Sequence, residues 1–261
     1  MTAQEVVLHQ PGLTTKGQYG LLLNGRPVFS VTKALSIIAK PALIQWAVDA
    51  TIDQLRETLK PDTQYPATTL AAHLNGAAGA AEALRRKASD CGSVVADWIH
   101  VYIKARIAGA SLPAKPAEAT ASKAVDGILE WEMNNKIRWL ATEWPMACPQ
   151  TLVGGRADTF VLMNDRPFMI DFKRVKPSKT GELRVYPEGE LQVSGYTAIV
   201  DHAKLAPWAK LTEIGRMLLA VSAVDGAYRE VEITTDVNED WNALMAAARL
   251  RQRVPEYGKG E

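Results

Sequence analysis

Residues 153–176 read VGGRADTFVLMNDRPFMIDFKRVK. Two apolar runs flank Asn164-Asp165-Arg166, so the stretch reads as a β-hairpin with strands over 152–163 and 167–175. Side chains alternate faces along a strand. Phe168, Ile170 and Phe172 therefore share one face, and Met169, Asp171 and Lys173 the other. Counting back from the turn sets Asp158 about opposite Asp171. Two carboxylates one strand spacing apart repel each other unless a proton or a cation lies between them. Oxygen donors favour Mg²⁺ or Mn²⁺ over zinc. A lysine two residues past such a ligand could orient a nucleophilic water or stabilise charge on a phosphate. Alone, Asp-x-Lys on a strand is most often a solvated pair, so the weight rests on its combination with Asp158 and with the helix downstream.

That helix spans 190–203, where Gln192 and Tyr196 stand four apart on one face. Two strands over 215–224 and 229–234 turn at Asp225-Gly226, and a helix over 238–251 closes the chain. Upstream, 144–148 is a candidate strand. The N-terminal half is mostly helical. A hairpin over 17–30 turns at Asn24-Gly25. A short helix over 33–40, preceded by a cap at Ser30-Val-Thr32, stops at Pro41, and a longer one covers 42–59. Residues 61–79 read as a loop with a short helical piece. Helices over 80–87 and 93–107 are split near Asp90-Cys-Gly92, 108–116 is a connector, and a helix covers 117–140. The expected order is a helical half followed by β-β-β-α-β-β-α, an α/β (α+β) chain with a sheet backed by helices.

The chain has 261 residues, 47% of them hydrophobic, enough for one sizeable core or one core with a helical subdomain. Its formal net charge of +1 supplies no global positive field, so binding to nucleic acid needs a local basic patch. Candidates are Arg174, Lys176, Lys179 and Arg184 just past the Asp-x-Lys strand, and Arg85-Arg86-Lys87 upstream. The two cysteines, Cys91 and Cys148, match no zinc spacing and no disulfide framework, as expected in a reducing cytosol. The N-terminus shows no basic region followed by an apolar one, and no run of 18 apolar residues occurs. A cytoplasmic location with no membrane partner is expected. No groove-reading motif or zinc finger appears, so little sequence specificity is expected.

Together, Gly155-Arg-Ala-Asp158, Ile170-Asp-Phe-Lys173 and Gln192-Val-Ser-Gly-Tyr196 resemble the PD-(D/E)XK nuclease superfamily, in its RecB-like and phage-exonuclease (lambda-exonuclease-like) branch. Ser30-Val-Thr-Lys-Ala-Leu35, Lys40-Pro-Ala-Leu43 and Trp46 look like the opening of phage RecB-like nucleases, and the likeness covers roughly residues 28–205. It implies a restriction-endonuclease-like core, a central mixed sheet flanked by helices, in a single nuclease domain with 1–141 mainly helical and 142–261 carrying the sheet. It implies a Mg²⁺-dependent DNA exonuclease of recombination, replication or repair, with Mn²⁺ able to substitute. Asp158 and Asp171 match the metal aspartates, the Phe172 carbonyl a further ligand, Lys173 the catalytic lysine, and Gln192 and Tyr196 the motif that contacts DNA and supports the site. DNA is the implied partner; a homo-oligomer and a single-strand annealing or other DNA-binding protein are further ones.

The chain departs from the family where many relatives carry Gly-x-x-x-His-x-x-x-Glu on an earlier helix. Here Gly92-Ser-Val-Val-Ala-Asp-Trp-Ile-His100 sets Ala96 at the histidine and His100 at the glutamate. Either His100 joins the metal site from one turn later, or that helix gives no ligand. An extra acid often precedes the Asp strand in the family, and Glu143 and Glu130 are candidates, each as readily a surface glutamate. The alternatives are a structure-specific or restriction-type endonuclease and a non-catalytic nuclease-like module that binds DNA or protein.

Overall fold

The computed structural model describes residues 9–16, 20–38, 41–178 and 180–254, without the side chains of 41–43, 85 and 87–91. The chain divides into two compact units, Ala39–Val94 and Met1–Ile38 with Val95–Glu261. The smaller holds α2 (Pro41–Thr58), α3 (Ala67–Ala78) and the first half of α4 (Ala80–Ala108). Within it, Ile44, Val48 and Ile52 recur every fourth residue on α2 and line an apolar cavity of about 590 Å³ with Ala47, Thr51, Ala78 and Ala81. No helix among the described residues is long and apolar enough to cross a membrane.

The larger unit opens with a small antiparallel sheet of β1 (Leu13–Lys16), β2 (Gly20–Leu23) and β3 (Arg26–Pro27). Its β2–β3 turn is Asn24-Gly25, both with positive φ, the backbone a two-residue hairpin turn requires. The main sheet is mixed. It contains β4 (Phe29–Ser30), β5 (Ile137–Ala147), β6 (Val153–Met163), β7 (Arg166–Val175), β8 (Gly215–Ser222) and β9 (Tyr228–Glu232). The order is β4-β6-β7-β8-β9, with β5 antiparallel to β6 along its other edge. β4 runs parallel to β6, and β7 parallel to β8. Every residue of β8 is buried, as a central strand covered on both faces demands.

Helices cover both faces. On one lie α1 (Val31–Leu35), α6 (Pro187–His202) and α7 (Val237–Arg253), whose Val31, Val193, Ile199 and Leu244 share one core with Phe160, Met169 and Leu218 of the sheet. On the other lies α5 (Ala119–Asn134), where Trp131 meets Phe172 edge-on and donates from Nε1 to Glu230 (2.7 Å). Glu132 of α5 accepts from Trp139 Nε1 (2.7 Å) and Tyr102 Oη, and pairs with Arg106 (3.2 Å), which ties α4 and β5 to this layer. The expected mixed sheet flanked by helices is therefore present.

Several boundaries differ from the sequence reading: the helix expected over 33–40 is α1, Val31–Leu35, and the expected loop over 61–79 holds the 12-residue α3. α4 runs unbroken through Asp90-Cys-Gly92, and the strand expected at 144–148 begins at Ile137, where a helix was expected to continue to 140.

Candidate active site

The β6–β7 hairpin turns on Asn164 (φ 51°) and Asp165 (φ 64°), left-handed values that Asn and Asp tolerate better than most residues. That turn fixes the register Met163↔Arg166 through Thr159↔Ile170. The next rung would join Asp158 to Asp171, but the ladder stops there. Beyond it β6 pairs with β4 at Val153 and Gly154, while β7 continues along β8 through Val175. The two strands fork, and the aspartates stand at the fork. Asp158 replaces the missing ladder bond with its side chain, its Oδ2 accepting from the Phe172 N–H (3.1 Å). A strand residue directs its N–H and C=O to the same neighbour, so the Phe172 carbonyl faces the fork as well.

β5 breaks at the same rung. Ala141 and Trp144, three residues apart, both enter the α6-side core, and so do Ala157 and Phe160 of β6. Strict alternation forbids this spacing. The flip is made at Glu143, a non-glycine residue with φ 45°, standing between the pairs Thr142↔Thr159 and Trp144↔Ala157. Glu143 is thus the strand neighbour of Asp158.

Asp171 is 3% exposed. Lys173 Nζ lies 2.6 Å from its Oδ2. The two form a close ion pair. Burial, reinforced by the Asp171 charge, holds the Asp158 carboxyl well above the usual range. Burial raises Asp171 too, against the pull of Lys173. Burial of the Lys173 amine favours its neutral form, but Asp171, with Asp158 and Glu188, outweighs this and the net shift is upward.

α6 delivers the remaining residues. Tyr196 is 3% exposed, and a Cβ at Gly155 would fall 2.7 Å from its hydroxyl, so only glycine admits the ring there. Burial and the charges of Asp158, Asp171 and Glu143 push the phenol far up, against a hydrogen bond with Gln192 one turn earlier.

Sequence reasoning placed Asp158, Asp171, Phe172, Lys173, Gln192 and Tyr196 as candidates, and the structure brings them to one fork. His100 sits at the edge. Its Nδ1 lies 3.2 Å from Thr142 Oγ1, beside Glu143, and burial with Lys104 lowers its pKa. Burial raises Glu143, with Arg156 and Lys104 opposing and Asp97 adding. Among the described residues no three His, Cys, Asp or Glu side chains converge to hold a metal, so neither His100 nor Glu143 is a preformed third ligand.

The proposed basic cluster disperses. Arg174 alternates to the α5 face of the sheet, where it reaches Thr120 (3.5 Å). Arg184 pairs with Glu182 (2.8 Å), which also meets Arg229. Lys176 is exposed at the end of β7. Arg86 belongs to the smaller unit and pairs with Glu82 (3.1 Å). Lys179 and the Arg85 side chain lie outside the described residues. The rung shared by Glu143 and Asp158 was missed, because Ala141 and Trp144, three apart, read as an ordinary helical spacing and gave no signal of a strand flip.

No family model and no curated protein matches the chain. Among solved structures, the crystal structure of SSO0001 aligns at 16% identity and a TM-score of 0.30, over 54% of this chain and 65% of that one. A likeness at that level carries no argument.

Proposed function

We propose that the protein is a Mg²⁺-dependent deoxyribonuclease, an exonuclease of the phage type acting in DNA recombination, replication or repair. The carrying observation is the fork. It sets the half-buried Asp158 beside the buried Asp171 and holds the Lys173 ammonium 2.6 Å from Asp171 Oδ2. These residues fit Mg²⁺, which takes one or two carboxylates and fills its remaining positions with water and phosphate oxygens. Asp158, Asp171 and the Phe172 carbonyl would hold the ion, which supplies Lewis-acid charge to the phosphoryl oxygens when bound. Mn²⁺ substitutes on the same chemistry.

The chain's own groups do the rest. Lys173, kept protonated by the two aspartates, orients the attacking water and donates to a non-bridging phosphate oxygen. The water oxygen forms a bond to phosphorus and releases its proton to solvent, while the bond to the leaving sugar oxygen breaks and that oxygen takes up a proton from solvent. Tyr196, kept protonated, donates from α6, with Gln192 holding its hydroxyl.

The test is digestion of 5′- and 3′-labelled single- and double-stranded DNA with Mg²⁺ or Mn²⁺. Nucleotide release from ends is expected, with covalently closed circles intact. If no end is cut, the nuclease reading fails; cleavage of closed circles makes the protein an endonuclease instead. A second reading, a non-catalytic nuclease-like module, is favoured by Ala96 on α4 and by the lack of a third convergent ligand among the described residues. Calorimetric titration separates the two: the catalytic reading requires Mg²⁺ or Mn²⁺ to bind the free protein.

A further inference from the structure

α6 is held against the sheet by small residues. A Cβ at Gly189 would lie 3.1 Å from Leu218 Cδ1 and 3.4 Å from Lys173 Cε, and one at Gly195 would lie 2.4 Å from Leu244 Cδ2. Close packing fixes how near the helix lies but not how far it slides or rotates, because glycine surfaces are smooth. A polar device fixes that. Ser194, fully buried between Gln192 and Tyr196, donates from Oγ to Asp240 Oδ2 (2.7 Å). Arg216 of β8, 7% exposed, donates from NH1 to Ser194 Oγ (2.6 Å) and to Asp240 Oδ2 (2.8 Å). Its NH2 donates to the Thr235 carbonyl, and Thr235 Oγ1 donates to Asp240 Oδ2 (2.6 Å). Arg216 stands opposite Met169 in the β7–β8 ladder, two residues before the rung that carries Asp171. The network therefore joins the strand beside the Asp171 and Lys173 strand to the helix that carries Gln192 and Tyr196.

We propose that Arg216, Asp240 and Ser194 are positioning residues that set the rotation of α6, and with it the placement of the Tyr196 hydroxyl against β6. A buried ion pair contributes little net stability over well-packed apolar side chains of similar volume. Its hydrogen-bond directions nevertheless fix geometry that apolar contacts leave free. The proposal's kinetic arm rests on the nuclease reading; its spectroscopic arm does not.

The experiment uses the full chain with the double substitution Arg216→Met/Asp240→Leu, which removes both charges and leaves no buried ion alone. It is read by Tm, by kcat and KM on an end-labelled duplex, and by the ¹⁹F resonance of Tyr196 in 3-fluorotyrosine-labelled protein, assigned with Tyr196→Phe. We expect Tm near that of wild type, KM unchanged, a shifted Tyr196 resonance, and kcat lower by about 100-fold, the effect of roughly 1 Å of misplacement. Ser194→Ala cuts the link to the helix while sparing the ion pair, and lowers kcat roughly tenfold, the effect of one hydrogen bond. If the double variant fails to fold, Ser194→Ala decides. A wild-type resonance and kcat in the double variant, or in Ser194→Ala where that decides, overturns the proposal. If wild-type protein cuts no DNA, the nuclease reading falls, and the Tyr196 resonance alone decides the positioning role.

Discussion

Asp171 is kept buried, with Asp158 half-buried beside it, at a cost to the fold. A carboxyl whose pKa is raised on folding binds its proton more tightly in the native state than in the unfolded one. Its unfavourable effect is absent below the unfolded pKa of about 3.9 and grows as pH rises toward the folded value. Both aspartates are shifted upward, so metal-free protein should lose Tm as pH rises from about 4 toward neutrality. Mg²⁺ should restore it. Asp158→Asn can still accept from the Phe172 N–H but removes the like charge. It should raise Tm in EDTA by an amount worth about 1 kcal/mol, roughly one pKa unit, while abolishing the Mg²⁺-dependent rise. Scanning calorimetry with and without Mg²⁺ checks this; a variant less stable than wild type in EDTA contradicts it. Lys173 acts differently. Lys173→Met should leave Mg²⁺ binding measurable by calorimetry yet lower cleavage at least about 100-fold, the usual loss when one donor to developing charge is removed. A variant that retains cleavage moves the catalytic role elsewhere.

Individual elements show where local chemistry decides and where it does not. Gly127 of α5 meets the 225–226 turn so closely that an added Cβ would lie 1.9 Å from the Gly226 carbonyl oxygen. Backbone cannot yield as a side-chain tip can, so Gly127→Ala should destabilise by about 3 kcal/mol, the upper end for overpacking. Gly92 of α4 is different: a Cβ added there would have nothing within 4 Å, so Gly92→Ala should stabilise by about 0.5–1 kcal/mol. Urea unfolding measures both, and equal effects would show that space around the glycine is not what matters. Gly92 also explains a misreading. Asp90-Cys-Gly92 reads as a break, but one glycine costs only about 1 kcal/mol and a long helix absorbs it. Similarly, Ile137 was read as continuing the apolar series of Ala124, Ile128 and Trp131, yet Asn135 caps α5 in an extended conformation and the chain enters β5. The β6–β7 hairpin was legible because the Asn164-Asp165 turn sets its register locally. From that register the opposition of Asp158 and Asp171 follows by counting. The strand flip at Glu143 and the Arg216–Asp240–Ser194 network were not legible, because each depends on partners that only the tertiary fold brings together.

For the molecule as a whole, electrostatics limits how DNA can be held. The formal net charge is +1. Among the described residues read as a phosphate track, Arg174 points to the α5 face, Arg184 is paired with Glu182, and Lys176 is exposed. Lys173 is engaged with Asp171. Binding that depends on phosphate neutralisation releases counterions in proportion to the phosphates contacted. Lys173, with Arg156 and Lys104 near Glu143 and His100, should therefore neutralise about two or three phosphates of a duplex end, for a slope of log K against log salt near −2 to −3. Fluorescence anisotropy of a labelled duplex over roughly 50–200 mM salt, with Ca²⁺ in place of Mg²⁺ to hold back cleavage, measures it. A protein so weakly anchored would hold its substrate mainly through contacts at the fork, so Tyr196→Phe should raise Kd without changing the slope. A slope steeper than about −6 would require a basic surface that the dispersed arginines do not supply.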